Sequence, residues 1–211
     1  AVASVLQVVN ISTRFLNPRG GSNITVNNHR LNLHALLRRG LHPDNDSPSK
    51  QNLNLLKSSS ISRFLKNRYH LIINCAGIAR MKECEKNPFK AIEVNIFGTL
   101  NLIKEIINYE TNFKKQVRLI HISSDGVYPS IKGNYSENSP LKSYNFYGCT
   151  KLHSESIVKL IKNHVVIRTR FFDKTNIEYD TAATDIFTSA IEVQNLAREI
   201  KNIALTKFIG V

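Results

Sequence analysis

The sequence predicts an α/β fold, a doubly wound parallel sheet of the Rossmann-like type. Three observations predict it. Two apolar runs, His70-Leu-Ile-Ile-Asn-Cys-Ala-Gly77 and Gln116-Val-Arg-Leu-Ile-His-Ile-Ser123, read as strands buried on both faces. A helical pattern lies between them, and a second helical pattern follows the later run. Strand, helix, strand, helix, strand at this spacing means parallel strands joined by crossover helices.

The elements follow in order. Ala1 to Val9 is apolar but has no basic leader and no initiator Met, so it does not read as a signal peptide. Ile24 to Leu33 predicts a strand, Ala35 to Arg39 a short helix, and Pro43 to Ser49 a turn-rich surface loop. Ser59 to Arg68 is helix-like, with Ser available at the cap. The first buried strand then ends in a small-residue turn. Asn87-Pro88 opens a long helix reaching about Glu110, with Asn at the cap and Pro at the first position. Ala91, Val94, Gly98, Leu102 and Ile106 mark its inner face.

A polar loop of about twenty residues follows the second strand and holds Pro129, Gly133 and Pro140. Loops that long in a compact domain are usually functional or disordered. Tyr144 to Ile161 has a helical pattern, His164 to Thr169 is a third strand, and Val193 to Leu205 is an amphipathic helix. Ligands of such sheets bind beyond the carboxyl ends of the strands. Asn74 to Gly77, Ser123 to Asp125 and Arg168 to Phe172 all fall there.

Composition excludes several classes. With 211 residues, 42% hydrophobic and 21% charged, the chain reads as one ordinary soluble domain able to bury a core. No run approaches the roughly 18 apolar residues of a membrane span. Cys75, Cys84 and Cys149 are too widely spaced for a disulfide frame or a zinc pattern. They predict reduced thiols in a cytoplasmic protein and no metal. The net charge of +13 comes from Lys and Arg spread along the chain, with short clusters such as Arg38-Arg39 and Lys114-Lys115. Without a basic tract interleaved with aromatics, this argues against nucleic acid. A basic surface does favour small anionic ligands, nucleotides included.

Chemistry concentrates in Tyr144-Asn-Phe-Tyr-Gly-Cys-Thr-Lys151. On a helix, Tyr147 and Lys151 share a face, so an ammonium can sit near a phenol. A free phenol titrates near 10, and a fixed cation lowers that value toward the range useful to a general acid. A lone Tyr-x-x-x-Lys is a common surface spacing. Here it joins Asn74-Cys-Ala-Gly77 at one strand end, Val94-Asn95 in the next helix, and Ser123-Ser124 at the next strand end.

These residues resemble the extended short-chain dehydrogenase/reductase superfamily over about residues 51 to 170. Within it they are most similar to dTDP-4-dehydrorhamnose reductase and related sugar-nucleotide reductases. The motifs are Ser123-Ser-Asp-Gly-Val-Tyr128, Glu137, Pro140, and Tyr147-Gly-Cys-Thr-Lys-Leu-His-Ser-Glu155, with Ala183 to Ala197 resembling the lead into a late helix. The resemblance implies NAD(P)-dependent reduction of a keto group on a nucleotide-sugar substrate. Tyr147 would give a proton to the substrate oxygen, Lys151 would hold the nicotinamide ribose, and Ser124 would hydrogen-bond the reacting oxygen. Asn74, Ala76, Gly77 and Asn95 would border or support the cofactor, NADP or NAD. Asp125, Tyr128 and Arg170 are candidate substrate contacts, and Arg168 and Phe172 candidate lining residues. A homodimer is a further expectation from the superfamily.

Two departures carry information. Sugar-nucleotide 4,6-dehydratases place a Glu after the Asp at the strand end. Here Gly126 follows Asp125, which favours a reductase or an epimerase. The family's opening glycine-rich loop is absent, and Arg19-Gly-Gly-Ser22 reads as an ordinary turn. The expectation is a piece of a longer protein. Residues 1–170 would form a dinucleotide-binding domain lacking part of its start, and 171–211 part of a substrate-binding region. The alternative is a non-catalytic subunit on the same fold, as in the regulatory subunit of methionine adenosyltransferase.

Overall fold

A computed structural model describes residues 6–9, 53–67, 69–174 and 188–211. The expected strand at 24–33, helix at 35–39 and loop at 43–49 lie outside these residues. Four strands make the main sheet in the order β1 (Leu6–Val9), β2 (Leu71–Asn74), β3 (Arg118–Ile122), β4 (His164–Ile167). β2, β3 and β4 run parallel, as the spacing predicts, with Asn74 beside His121 and Ile122 beside Ile167. β1 pairs antiparallel with β2, so the sheet is mixed at that edge. Gly210 forms a further parallel bridge to Val165.

The crossovers are helical. α1 (Ser58–Leu65) precedes β2. Between β2 and β3 lie α2 (Met81–Lys86), α3 (Pro88–Ala91), a π-helical segment over Ile92–Phe97, and α4 (Gly98–Phe113). The long helix expected from Asn87 is therefore continuous in path but not uniform. Its wide π turn leaves the Asn95 carbonyl to accept from Thr99 Oγ1 and Ser154 Oγ, both at 2.7 Å. Asn87 occupies the cap position, but its side chain makes no capping bond. Ser59 likewise lies inside α1, and Lys57 stands at its cap.

α5 (Phe146–Val158) joins β3 to β4. Tyr144 is outside it because Asn145, with extended backbone, caps the helix by accepting from the Gly148 N–H at 2.7 Å. A short parallel pair, β5 (Phe171–Phe172) with β6 (Ile191–Glu192), leads into α6 (Val193–Ala204).

Alternation along the strands divides the core. Ile72, Leu119 and Val166 face Leu102, Ile103, Ile106 and Val158 of α4 and α5. Leu71, Ile73, Ile120 and Val165 face Leu196 and Ile200 of α6. β2 and β3 are buried at every position, as expected of central parallel strands. Each such Ile or Leu contributes about 1.5–3 kcal/mol through burial. Among the described residues no helix is long and apolar enough to cross a membrane.

Candidate active site

The two serines that end β3 point to different partners. Ser123 Oγ donates to Glu155 Oε1 of α5. Ser124 Oγ lies 3.3 Å from Asp125 Oδ1 and accepts from the Gly126 N–H at 3.1 Å. Ser124 also acts on the Tyr147 phenol, lowering its pKa against the effect of burial. Ser124, not Ser123, therefore meets the tyrosine, and a chain of polar groups runs Tyr147, Ser124, Asp125. It continues to Arg170, whose Nε is 2.8 Å from Asp125 Oδ2.

Close backbone approach sets this geometry. A Cβ on Gly148 would fall 2.2 Å from the Gly126 carbonyl oxygen and 2.2 Å from Ser143 Oγ. Only a glycine after Tyr147 lets the first turn of α5 lie against the turn after Ser124.

Electrostatics departs from the sequence expectation. Burial pushes the Tyr147 phenol up to about 12, with the Ser124 hydrogen bond lowering it and Cys84 and Asp125 raising it. Lys151 is not among the groups that act on it. The Lys151 amine instead donates to the Ile122 carbonyl at 2.6 Å and lies 3.4 Å from His121 Nε2. Burial lowers Lys151 to about 8, with Cys75 and Glu155 opposing.

The other predicted residues divide between crevice and frame. Ala76 and Gly77 form the turn after β2, where a Cβ on Gly77 would come 3.0 Å from Asn95 Oδ1. Asn95 is buried. It accepts from the Ile78 N–H at 2.7 Å and donates to the Ile78 carbonyl at 3.1 Å and Thr150 Oγ1 at 2.9 Å. It ties that turn to α5. Asn74 is fully buried, with its amide directed at His121 and the Ala76 N–H.

Tyr128 stacks on Tyr135 and hydrogen-bonds Arg168 Nη1 at 3.1 Å. Arg168, a candidate lining residue, is held within the frame. It pairs with buried Glu155 at 2.8 Å and also donates to the Glu137 carbonyl. Burial opposes its charge, but the bonds to Glu155 and Tyr128 outweigh that and raise its pKa. Sequence reasoning did not place Glu155, His121 or Gly148 in the site. Glu155 had a signal, since Tyr147, Lys151 and Glu155 recur every four residues along one face. Among the described residues no cluster of His, Cys, Asp and Glu could hold a metal, and all three cysteines are free thiols.

Comparison with known proteins decides the family. The family described as RmlD substrate binding domain matches residues 30–186. The chain belongs to that family. This places it in the extended short-chain dehydrogenase/reductase superfamily. The RmlD-type chain is 32% identical over 112 residues to methionine adenosyltransferase 2 subunit beta of Xenopus tropicalis, covering 53% of this chain and 32% of that protein. It is 30% identical over 128 residues to dTDP-4-dehydrorhamnose reductase of Mycolicibacterium smegmatis, covering 59% and 37%. These matches span about a third of the relatives' own length.

Solved structures agree on the fold. The dTDP-4-dehydrorhamnose reductase of Bacillus anthracis in complex with NADP superposes with a TM-score of 0.74 at 23% identity, covering 85% of this chain and 69% of that one. A hypothetical dTDP-4-dehydrorhamnose reductase from Sulfolobus tokodaii gives 0.63 at 27% identity, covering 75% and 60%.

Proposed function

We propose that the chain carries the catalytic centre of an NAD(P)H-dependent reductase acting on a keto group of a nucleotide-activated sugar. The observation that carries this reading is the Tyr147–Ser124 hydroxyl pair beside the buried Lys151 amine, at the carboxyl ends of parallel strands. Membership of the RmlD family supports it.

The residues fit a nicotinamide dinucleotide. The turn after β2 ends at Gly77, which packs against Asn95 where a Cβ would press on the amide, and this holds the small-residue turn at the strand end. Lys151 of α5 is a buried amine with further N–H donors beyond the one given to Ile122. A reduced nicotinamide bound there supplies the hydride. Tyr147 gives its phenolic proton to the carbonyl oxygen of the substrate, and Ser124 donates a hydrogen bond to the same oxygen as charge develops on it. Lys151 would bind the ribose hydroxyls through the N–H groups it does not give to Ile122. Asp125, Arg170 and Tyr128 lie at the rim on the substrate side. In this reading residues 1–170 form the dinucleotide-binding part and 171–211 part of the substrate-binding region of a cytoplasmic enzyme.

The test is loss of NADPH or NADH absorbance with dTDP-4-keto-6-deoxyhexose. Turnover is expected in the parent and a fall of at least about a hundredfold in Tyr147→Phe, with the fold intact by circular dichroism. A fully active Tyr147→Phe would refute the site.

One observation favours a second reading. The beta subunits of methionine adenosyltransferase 2 match this chain at 31–32% identity. A binding or regulatory subunit predicts cofactor binding without turnover, together with association with a methionine adenosyltransferase catalytic subunit.

A further inference from the structure

His121 is a fully buried imidazole on the sheet face that Lys151 approaches. The proton transfer proposed above does not use it. Its surroundings nevertheless determine its hydrogen positions. Asn74 stands beside it in register on β2. The Asn74 Oδ1 atom accepts from the Ala76 N–H at 3.1 Å, which fixes which end of the amide faces His121. The end that remains is Nδ2, a donor, 3.1 Å from His121 Nδ1. Nδ1 must therefore present its lone pair, and the neutral ring carries its proton on Nε2. Nε2 is the atom 3.4 Å from Lys151 Nζ.

We propose that His121 is a positioning residue that sets the protonation of Lys151. Asn74 holds the imidazole as the Nε2–H tautomer, and that N–H faces the amine and favours its uncharged form. An uncharged amine accepts this N–H while still donating to the Ile122 carbonyl. An ammonium has no lone pair to offer and meets donor with donor. To accept from an ammonium, the ring would have to move its proton to Nδ1 and the Asn74 amide would have to turn over. The Ala76 N–H would then lose its acceptor. The charge on Lys151 is thereby tied to the conformation of the turn after β2, which the proposed function assigns to the cofactor crevice.

Around Lys151, burial disfavours the charge, whereas Cys75 and Glu155 favour it. From the end of β2 comes Cys75, whose thiol burial pushes up to about 12 and so keeps neutral. From β3 comes His121, held well below its ordinary value by burial and then by the Lys151 charge. From its own helix come Tyr147, also kept neutral by burial, and Glu155, whose carboxylate is engaged by Arg168 and Ser123. Asp125 in the turn after β3 pairs outward with Arg170. Burial lowers Lys151 to about 8 against these attractions.

The inference rests on the proposed function only for its bearing on catalysis, and its test reads Lys151 directly. In the full chain labelled with ¹³Cε-lysine, NMR follows the titration of Lys151, assigned with Lys151→Met. In His121→Gln a side-chain carbonyl can face the ammonium, and the midpoint is expected to rise by roughly one pH unit. An unchanged midpoint overturns the proposal. Should that variant not fold, ¹⁵N NMR of the parent imidazole decides at about pH 9, above the Lys151 midpoint. The Nε2–H tautomer is expected, and the Nδ1–H tautomer overturns the proposal. A midpoint that moves in a chain without keto-sugar turnover upholds this inference and removes the proposed reductase instead.

Discussion

Gly148→Ala is the most discriminating single substitution. In an ordinary helix this change stabilises, by up to about 1 kcal/mol from backbone propensity. Here the new methyl would stand 2.2 Å from the Gly126 carbonyl oxygen, where ordinary contact begins at 3.4 Å. The deficit is about 1 Å, and the atom in the way is main chain, so no rotamer change relieves it. Ser143 Oγ can swing aside; the Gly126 carbonyl cannot. The first turn of α5 and the turn over Asp125–Val127 must part, and overpacking of this kind costs about 1–3 kcal/mol. The thermal midpoint should fall by roughly 2–12 °C for a chain of this size. The same displacement opens the Tyr147–Ser124 contact, and a misplacement of about 1 Å costs on the order of a hundredfold in rate. Differential scanning fluorimetry and NADPH turnover read the two effects separately. A variant as stable as the parent or more so would refute the argument that Gly148 is fixed by contact with Gly126.

Two further substitutions test other parts of the frame. Glu155→Gln leaves the Arg168 guanidinium buried without its counter-ion and should cost about 3–5 kcal/mol in urea unfolding. Adding Arg168→Met should recover much of that loss, and a double-mutant cycle measures the coupling. For Lys151→Met the sign follows from proton binding. Burial lowers the folded-state value to about 8 from the ordinary 10.5, so between those values the unfolded chain binds more protons and stability rises with pH. The penalty for burying the ammonium is complete below the folded-state value and gone above the unfolded one. The methionine variant should therefore be more stable than the parent near neutral pH, by about 1–3 kcal/mol, while losing activity. Its advantage should shrink as pH rises through the window, as urea midpoints at neutral and alkaline pH will record.

The central strands were legible because burial on both faces leaves a plain mark. β2 and β3 are apolar runs, and the polar interruptions, Asn74, Arg118 and His121, are residues with side-chain hydrogen bonds of their own. The Tyr147, Lys151 and Ser124 grouping was legible through motif spacing. What could not be read depends on pairing across the fold. The Asn74–His121 contact requires strand register, and the Ser123–Glu155 bond requires knowing how α5 lies over the end of β3. α2 has no apolar period because only Cys84 is buried, so nothing in Met81–Lys86 announced a helix. The antiparallel direction of β1 is set by its pairing with β2, which a short apolar segment does not reveal. The expected depression of the Tyr147 pKa failed because spacing on a helix brings two side chains to one face without making them point at each other. Lys151 turns to the strand end instead.

The π segment over Ile92–Phe97 also bears on which insertions and deletions this chain can accept. The buried residues Val94, Gly98, Leu102 and Ile106 recur strictly every four positions. On an ideal helix, with 3.6 residues per turn, such a row drifts by about 40° at each step and would soon leave the core. A wider turn takes up part of that drift and lets Asn95 and Ile106 serve on one side of one element. Losing the one residue that the wide turn takes up would leave a regular helix still in phase, whereas a regular helix of the present length would put its two halves out of phase. Either the Asn95 clamp on Ile78 would survive or the packing of Leu102 and Ile106 would, but not both. The irregular turn works as a phase adjuster between the Asn95 clamp and the packed half of the helix, and it is the place where the element can lose a residue without losing its register.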